Sequence, residues 1–288
     1  MDEYEGCVFA RPQKMEEDMR FSVLISVYHK EQPAHLQQSL DSIFNQTMPP
    51  SEVVLVEDGQ LTEGLYEVIK RAKQLHPELI SVVLPKNQGL GLALREGLQH
   101  CSYDLVARMD SDDIAKPERF AKELAYLEAH PETSVVGSWV DEFQDDTAKP
   151  LSIRKVPEHH ETLVRFSHYR NPMNHPTVMF RKADVEAAGN YQHCELFEDY
   201  DLWARMMQQG YKLHNLQESL LWFRLTSQPF SQRGGLGYIG REMNFQKRLW
   251  RMGYISLGRM ILNMLIRTLV RLIPRKWRKY GYLFFLRK

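Results

Sequence analysis

The stretch Leu105-Val-Ala-Arg-Met-Asp-Ser-Asp-Asp113 ends an apolar run abruptly in three carboxylates. Leu105 to Ala107 read as a short buried strand, and Asp110, Ser111, Asp112 and Asp113 follow where that strand must emerge. Carboxylates crowded in this way repel one another unless a cation sits between them. In an α/β protein the carboxyl ends of strands are also where ligands bind. The segment therefore suggests a divalent metal at the rim of a sheet, with a solvated acidic turn as the bland alternative. An EF-hand does not fit, because the loop lacks the Gly at its sixth position and the Glu at its twelfth.

Two further acidic pairs stand in comparable places. Glu57 and Asp58 close the apolar run Val53-Val-Leu-Val56 just before Gly59, and Glu198 and Asp199 precede Leu202, Trp203 and Met206 at helical spacing. An Asp at a helix start is either a favoured cap, stabilising by ~1 kcal/mol, or a carboxylate poised to take a proton. Asp201 lies inside that helix and is the poorer candidate for a base.

The elements that must position these groups alternate. Phe21 to Tyr28, Val53 to Val56, Leu79 to Leu84 and Leu105 to Met109 are strand-like apolar runs. Helices are expected over Pro33 to Asn45, Leu61 to Leu75 and Asn87 to Gln99, with another starting at Pro117. Such alternation predicts an α/β protein built on a parallel sheet with right-handed crossovers. It also places Glu57, Asp58 and Asp110 to Asp113 along one edge. A further strand is expected at Val135 to Val140. After it comes a loop-rich, Pro-punctuated segment containing Thr177-Val-Met-Phe180, then the helix led by Glu198.

Composition adds limits. The 288 residues are 43% apolar, which excludes disorder as the default. Cys7, Cys101 and Cys194 are too few and too scattered for a disulfide framework or a zinc cluster. The acidic start MDEYEG carries no hydrophobic segment of the kind a signal peptide needs, so an intracellular enzyme is expected. The zero net charge hides a split: Arg241 to Lys288 hold 13 of the 37 Lys and Arg residues but a single acid, Glu242.

In order and spacing, FSVLISVYHKE, LDSIFNQT, VVLVEDG, NQGLGLALREGL, ARMDSDDIAKPERF, VVGSW, HPTVMFRK and FEDYDLW resemble the family 2 glycosyltransferases. The resemblance runs from about Phe21 to Phe230. Its wording is most similar to bacterial O-antigen and capsule galactosyl- or glucosyltransferases acting on N-acetylglucosamine-diphospho-undecaprenol. It implies the GT-A fold, a Rossmann-like, mostly parallel sheet flanked by helices. It also implies an inverting, metal-dependent transfer of galactose or glucose from a UDP-sugar to a lipid-linked acceptor. On this resemblance Ser26, Tyr28, Glu31, Asp58, Asn87 and Asp110 would line the nucleotide-sugar site. Asp110 and Asp112, as the DXD motif, would hold Mn²⁺ or Mg²⁺, and Asp199 with Glu198 would supply the catalytic base. Two departures matter. Leu94 stands where the family often has Arg, leaving Arg95 without a clear role, and no QXXRW motif follows, which favours a single transfer over polymerisation. His175 could face acceptor or metal, or simply pack.

Residues 1–20 are expected to be a loose arm, 21–240 the catalytic domain, and 241–288 a basic amphipathic extension. Between Gly253 and Ile273, Arg259, Asn263, Arg267 and Arg271 recur every four residues as a polar stripe. Charges at a bilayer centre cost ~2.5–3.5 kcal/mol each on insertion scales, so the segment is not expected to span. Two placements remain: in the headgroup plane of an anionic membrane surface, or packed on the domain with its arginines solvated. Pro274, the cluster Arg275 to Lys279, Trp277 and Tyr280 would extend an interfacial segment. The expected location is the cytoplasmic face of the inner membrane, peripherally bound, with no nucleic-acid partner. A nucleotidyltransferase is the rival enzyme class, but Tyr28-His-Lys-Glu31 is not a Gly-rich phosphate loop. A membrane-associated UDP-sugar-binding protein without turnover is the non-enzyme alternative.

Overall fold

A computed structural model describes residues 20–225 and 236–272. The chain opens with strand β1 (Phe21–Val27), helix α1 (Pro33–Phe44), β2 (Glu52–Asp58), α2 (Glu63–Leu75), β3 (Leu79–Leu84), α3 (Leu90–His100) and β4 (Leu105–Asp110). There follow β5 (Ile114–Ala115), α4 (Arg119–Ala129), β6 (Thr133–Phe143), β7 (Ser152–Arg154), α5 (His160–Ser167), β8 (Met179–Arg181) and α6 (Lys182–Ala187). Helix α7 (Glu198–Gln208), β9 (Lys212–Arg224), α8 (Leu236–Arg251) and α9 (Leu257–Leu272) complete the described chain.

The sheet runs in the order β3-β2-β1-β4-β8-β6-β9-β5, with β7 on the side of β6. From β3 to β4 all pairing is parallel, as the β-α alternation predicts. Beyond β4 the sheet is mixed. Strand β8 is antiparallel to β4 and β6, whereas β9 is parallel to β6 over Thr133–Lys212 to Phe143–Arg224.

The two faces of β1 explain its unbroken apolar sequence. Phe21, Val23, Ile25 and Val27 pack with Leu36, Leu40 and Ile43 of α1 and Leu65 and Ile69 of α2. Leu24 points the other way, into a second core with Leu94 and Leu98 of α3 and Leu202, Trp203 and Met206 of α7. A strand covered on both sides has no polar face to alternate. Helix α3 lies close to the sheet because Gly97 has no side chain. A Cβ there would sit 2.4 Å from Val56 Cγ2 and 2.6 Å from Leu24 Cδ1.

A third core joins α7 to the C-terminal helices. Phe197 stacks on Phe245 with centroids 4.6 Å apart, and Tyr200, Leu249, Ile255 and Met260 fill in around them. Helix α9 therefore packs on the domain, but the other way round from the expected solvated arginines. Its polar stripe faces inward. Asn263 Nδ2 donates to the His168 carbonyl (2.8 Å) and to Gln246 Oε1 (2.9 Å). Arg267 reaches Glu242 and the Tyr169 carbonyl, and Arg259 lies 4.0 Å above the Tyr169 ring. The carbonyls at the end of α5 have no intrahelical partner, and the stripe supplies donors to that region. Leu257, Ile261, Leu262, Leu265, Ile266 and Leu269 are left exposed on the outer side.

No helix among the described residues is long and apolar enough to cross a membrane. The N-terminal arm up to residue 19 and the segment from Pro274 through the Arg275–Lys279 cluster, Trp277 and Tyr280 lie outside the described residues.

Candidate active site

The ends of β1, β2 and β4 bring most of the expected residues to one rim. Ser26 lies opposite Asp110 in the β1–β4 register. One turn on, Glu31 Oε2 accepts a 2.7 Å bond from Ser111 Oγ, tying the loop after β1 to the loop after β4. The Asp110 carbonyl is held from α1 by Ser39 Oγ (2.8 Å). Tyr28 stays 41% exposed at the mouth. Burial first, then the charges of Glu31 and Asp112, raise its hydroxyl pKa, so Tyr28 stands close to the acidic loop.

Asp110, Asp112 and Asp113 present carboxylate oxygens that all lie within 4.8 Å of one another. Burial, followed by repulsion from Asp110 and Glu31, pushes Asp112 up to about 7. Asp113 is also raised well above the usual carboxylate range, mainly by burial and then by Asp112. Its Oδ1 accepts the Arg224 backbone N–H (2.8 Å), while its buried Oδ2 has no partner among the described residues. Crowded, uphill carboxylates with a spare buried oxygen are what a hard divalent cation would relieve. The donor set fits such an ion.

Asp58 and Asn87 form the neighbouring part of the rim. The Asp58 carboxylate accepts backbone N–H groups of Gln88 (2.7 Å) and Gly89 (3.0 Å), and Asn87 Nδ2 donates to the Asp58 carbonyl (3.2 Å). Gly59 makes this approach possible: with φ of 83°, a Cβ on it would meet the Asn87 nitrogen at 2.5 Å. Asp58 is almost fully buried, so each carboxylate oxygen keeps only its remaining lone pair for a ligand.

Glu198 and Asp199 come to the same rim from the start of α7. Gly91 lets them in, since a Cβ there would lie 3.0 Å from the Glu198 Cβ and 2.9 Å from the Gln192 carbonyl. Asp199 Oδ2 accepts from Asn171 Nδ2 (2.5 Å), and Oδ1 accepts from the Tyr200 backbone N–H (2.7 Å). Burial raises Asp199 while those two bonds pull it back toward its charged form. Glu198 is pushed up to about 7 by burial and by Asp199, with its own backbone N–H and Arg108 pulling the other way. Asp199 is therefore the better-held anion of the two.

Between the two acidic groups sits Arg108, buried to 1% and paired with Asp110. Its charge lowers Asp112, Asp113, Glu198 and Asp199 alike. His175 packs: it is buried against Trp203, and its Nε2 lies 2.9 Å from the Tyr191 hydroxyl. Burial, then Arg108, drive its pKa well down. Arg95 is exposed on α3 while Leu94 fills the core, as the departure from the motif implied.

Two residues escaped the sequence. Arg224 ends β9, and its Nε donates to the Asp112 carbonyl (2.8 Å) while its Nη2 reaches Gln38 Oε1 (2.5 Å). Asn171 lies in the Pro-rich segment, 28 positions before the carboxylate it holds. The cluster of small polar and Pro residues at Asn171-Pro-Met-Asn174 was the available signal.

Comparison with known proteins identifies the family and the fold. The profile of "Glycosyl transferase family 2" matches residues 22–188. The chain is 42% identical over 262 residues to the amylovoran biosynthesis glycosyltransferase AmsE of Erwinia amylovora, covering 91% of this chain and 97% of that one. It is 36% identical to a UDP-Gal:α-D-GlcNAc-diphosphoundecaprenol β-1,3-galactosyltransferase of Escherichia coli, covering 91% and 95%. In fold it is similar to S. aureus TarS 1–349 in complex with UDP-GlcNAc, with a TM-score of 0.66 at 16% identity over 90% of this chain and 77% of that one.

Proposed function

This chain belongs to glycosyl transferase family 2 and has the GT-A fold, and from that premise we propose a single, inverting hexose transfer. The donor is a UDP-sugar carrying galactose or glucose. The acceptor is a lipid-linked saccharide of the N-acetylglucosamine-diphospho-undecaprenol type, and the product feeds bacterial surface polysaccharide. The observation that carries this reading is the convergence of the Asp110–Asp112 rim and the held carboxylate of Asp199 around one buried Arg108. The acceptor class rests on the name of the E. coli relative.

Asp112, with Asp110, would hold Mn²⁺ or Mg²⁺, and the ion would neutralise charge on the departing diphosphate. Ser26, Tyr28, Glu31, Asp58 and Asn87 would bind and orient the nucleotide. Asp199 takes the proton of the acceptor hydroxyl as that oxygen attacks the anomeric carbon, which inverts its configuration. Glu198, pushed up to about 7, is partly protonated near neutral pH and shapes the field around its neighbour. The outward apolar face of α9 rests on the membrane that holds the acceptor, and the basic residues beyond it favour the anionic, cytoplasmic surface.

The test is a panel of UDP-sugars assayed against a synthetic N-acetylglucosamine-diphospho-lipid, with and without Mn²⁺. Transfer of UDP-galactose or UDP-glucose that stops on chelation is expected. Full transfer by Asp112→Ala or Asp199→Ala would overturn the assigned roles.

A further inference from the structure

The segment that carries Asn171 is gripped on both sides. Upstream, the Ser167 carbonyl accepts from the Tyr200 hydroxyl and Ser167 Oγ meets the Tyr254 hydroxyl. The His168 and Tyr169 carbonyls are taken by Asn263 and Arg267 of α9. Downstream, the Pro172 carbonyl accepts from Asn215 Nδ2 (3.1 Å), a fully buried side chain on β9 that also holds the Pro157 carbonyl (2.8 Å). Asn171 thus has little freedom to move its backbone.

Its side chain is fixed as well. Asn171 Oδ1 accepts the Met173 backbone N–H at 3.3 Å, so the amide nitrogen, and not the oxygen, is the end turned to Asp199. The reversed amide would set its oxygen against a carboxylate and its NH₂ against an N–H. The charged and titratable groups facing Asp199 are Arg108 from β4, Tyr191 and Cys194 from the preceding loop, and Glu198 and Tyr200 from α7 itself. Of these, Arg108 favours the anion from within the core, and its Nε and Nη1 have no partner among the described residues. Asn171 is the side chain that bonds the carboxylate directly.

We propose that Asn171 is a positioning residue for the transfer: its clamped amide holds Asp199 charged and turned toward the acceptor hydroxyl. This rests on the reading of Asp199 as the base. With Oδ2 bonded to Asn171 and Oδ1 to the Tyr200 N–H, the remaining lone pairs are the ones free to receive the proton. Helix α9 contributes by fixing the two carbonyls just ahead of Asn171, which links the outermost helix to the chemistry.

The experiment measures kcat/KM for the lipid-linked acceptor against pH, at saturating UDP-sugar and Mn²⁺, for Asn171→Ala and Asn171→Asp. Losing a donor to a carboxylate moves the acid limb of the profile upward by about one pH unit in the Ala variant. The Asp variant moves it further, because it adds a like charge, and KM for the UDP-sugar stays unchanged in both. The limb's position does not depend on how much of a variant folds. An acid limb that stays in place in both variants overturns the inference. Asp199→Asn separates the two failures: if it is inactive while the limb stays in place, only the role of Asn171 falls. If Asp199→Asn transfers normally, the reading of the base falls and takes this inference with it.

Discussion

Replacing Asp201 with Asn should destabilise the protein without touching its chemistry. The Asp201 side chain is fully buried and accepts from two guanidiniums, Arg205 Nε at 3.0 Å and Arg248 Nη2 at 3.0 Å, with Arg248 Nε also bonded. Arg205 holds the Ala188 and Asn190 carbonyls as well, and Arg248 holds Gln192. One carboxylate therefore ties α7 to α8 and to the loop before α7. Removing one partner of a buried pair costs about 3–5 kcal/mol. Asn keeps one acceptor oxygen, and the Arg248 side chain is 35% exposed, so water recovers part of that loss. The expected cost is then about 3 kcal/mol, or a melting temperature lower by about 5–10 °C for a chain of this size. Thermal unfolding of Asp201→Asn, Arg248→Met and the double variant gives the coupling directly. Transfer measured well below the transition should match the parent. A melting temperature that does not move would refute the account of the clamp. A fully stable Asp201→Asn without transfer would place Asp201 in the chemistry after all.

Three other outcomes follow from the geometry. Asp112 and Glu198 are both raised to about 7, so the stability they contribute is present below the ordinary carboxylate range and lost as pH rises through about 7. Metal-free protein should therefore melt lower at pH 8 than at pH 5.5, and Mn²⁺ should restore the loss at pH 8; equal melting temperatures without metal would contradict this. Gly91→Ala should lower transfer more than melting temperature, because its Cβ pushes on Glu198 and the Gln192 carbonyl while Ala suits a helix; parallel losses would show the contact to be structural only. Leu265→Glu with Ile261→Glu, both on the outward face of α9, should release the protein from anionic vesicles in co-sedimentation; unchanged sedimentation would remove α9 from the membrane contact.

The half of the fold from β1 to β4 was legible because buried parallel strands are written as apolar runs and their exits as acids. Asp58, Asp110 and Asp112 followed from that grammar and lie at the rim, and the Glu198–Asp199 pair was read from its place at a helix start. Strand β9 was not legible. Lys212–Arg224 mixes buried Leu213, Asn215, Leu220 and Leu221 with half-exposed polar residues, and its register with β6 shifts at three places. Bulges of this kind erase the period of two on which strand reading depends. Arg224 went unseen with its strand. Asn171 was missed for another reason: its partner is distant in sequence, and the small polar and Pro cluster around it marks a loop without showing which side chain holds another. For α9 the periodicity was right and the direction wrong. A polar stripe has the same spacing whether it meets water or the unpaired carbonyls of a neighbouring segment, and here it meets the carbonyls of His168 and Tyr169.

The place of Arg224 also sets an order of events during synthesis. A nascent chain of 200 residues already owns Asp110, Asp112 and Asp113 and can build β1 to β4 from neighbouring segments. It lacks the N–H and guanidinium that pin Asp113 and the Asp112 carbonyl, because these arrive at the far end of β9. Strand β9 reaches back about 80 residues to pair with β6 and about 106 to pair with β5, and such non-local pairings form late. The acidic loop thus takes its final shape only once β9 is in place, so a truncated or half-emerged chain holds the carboxylates without the contacts that fix them.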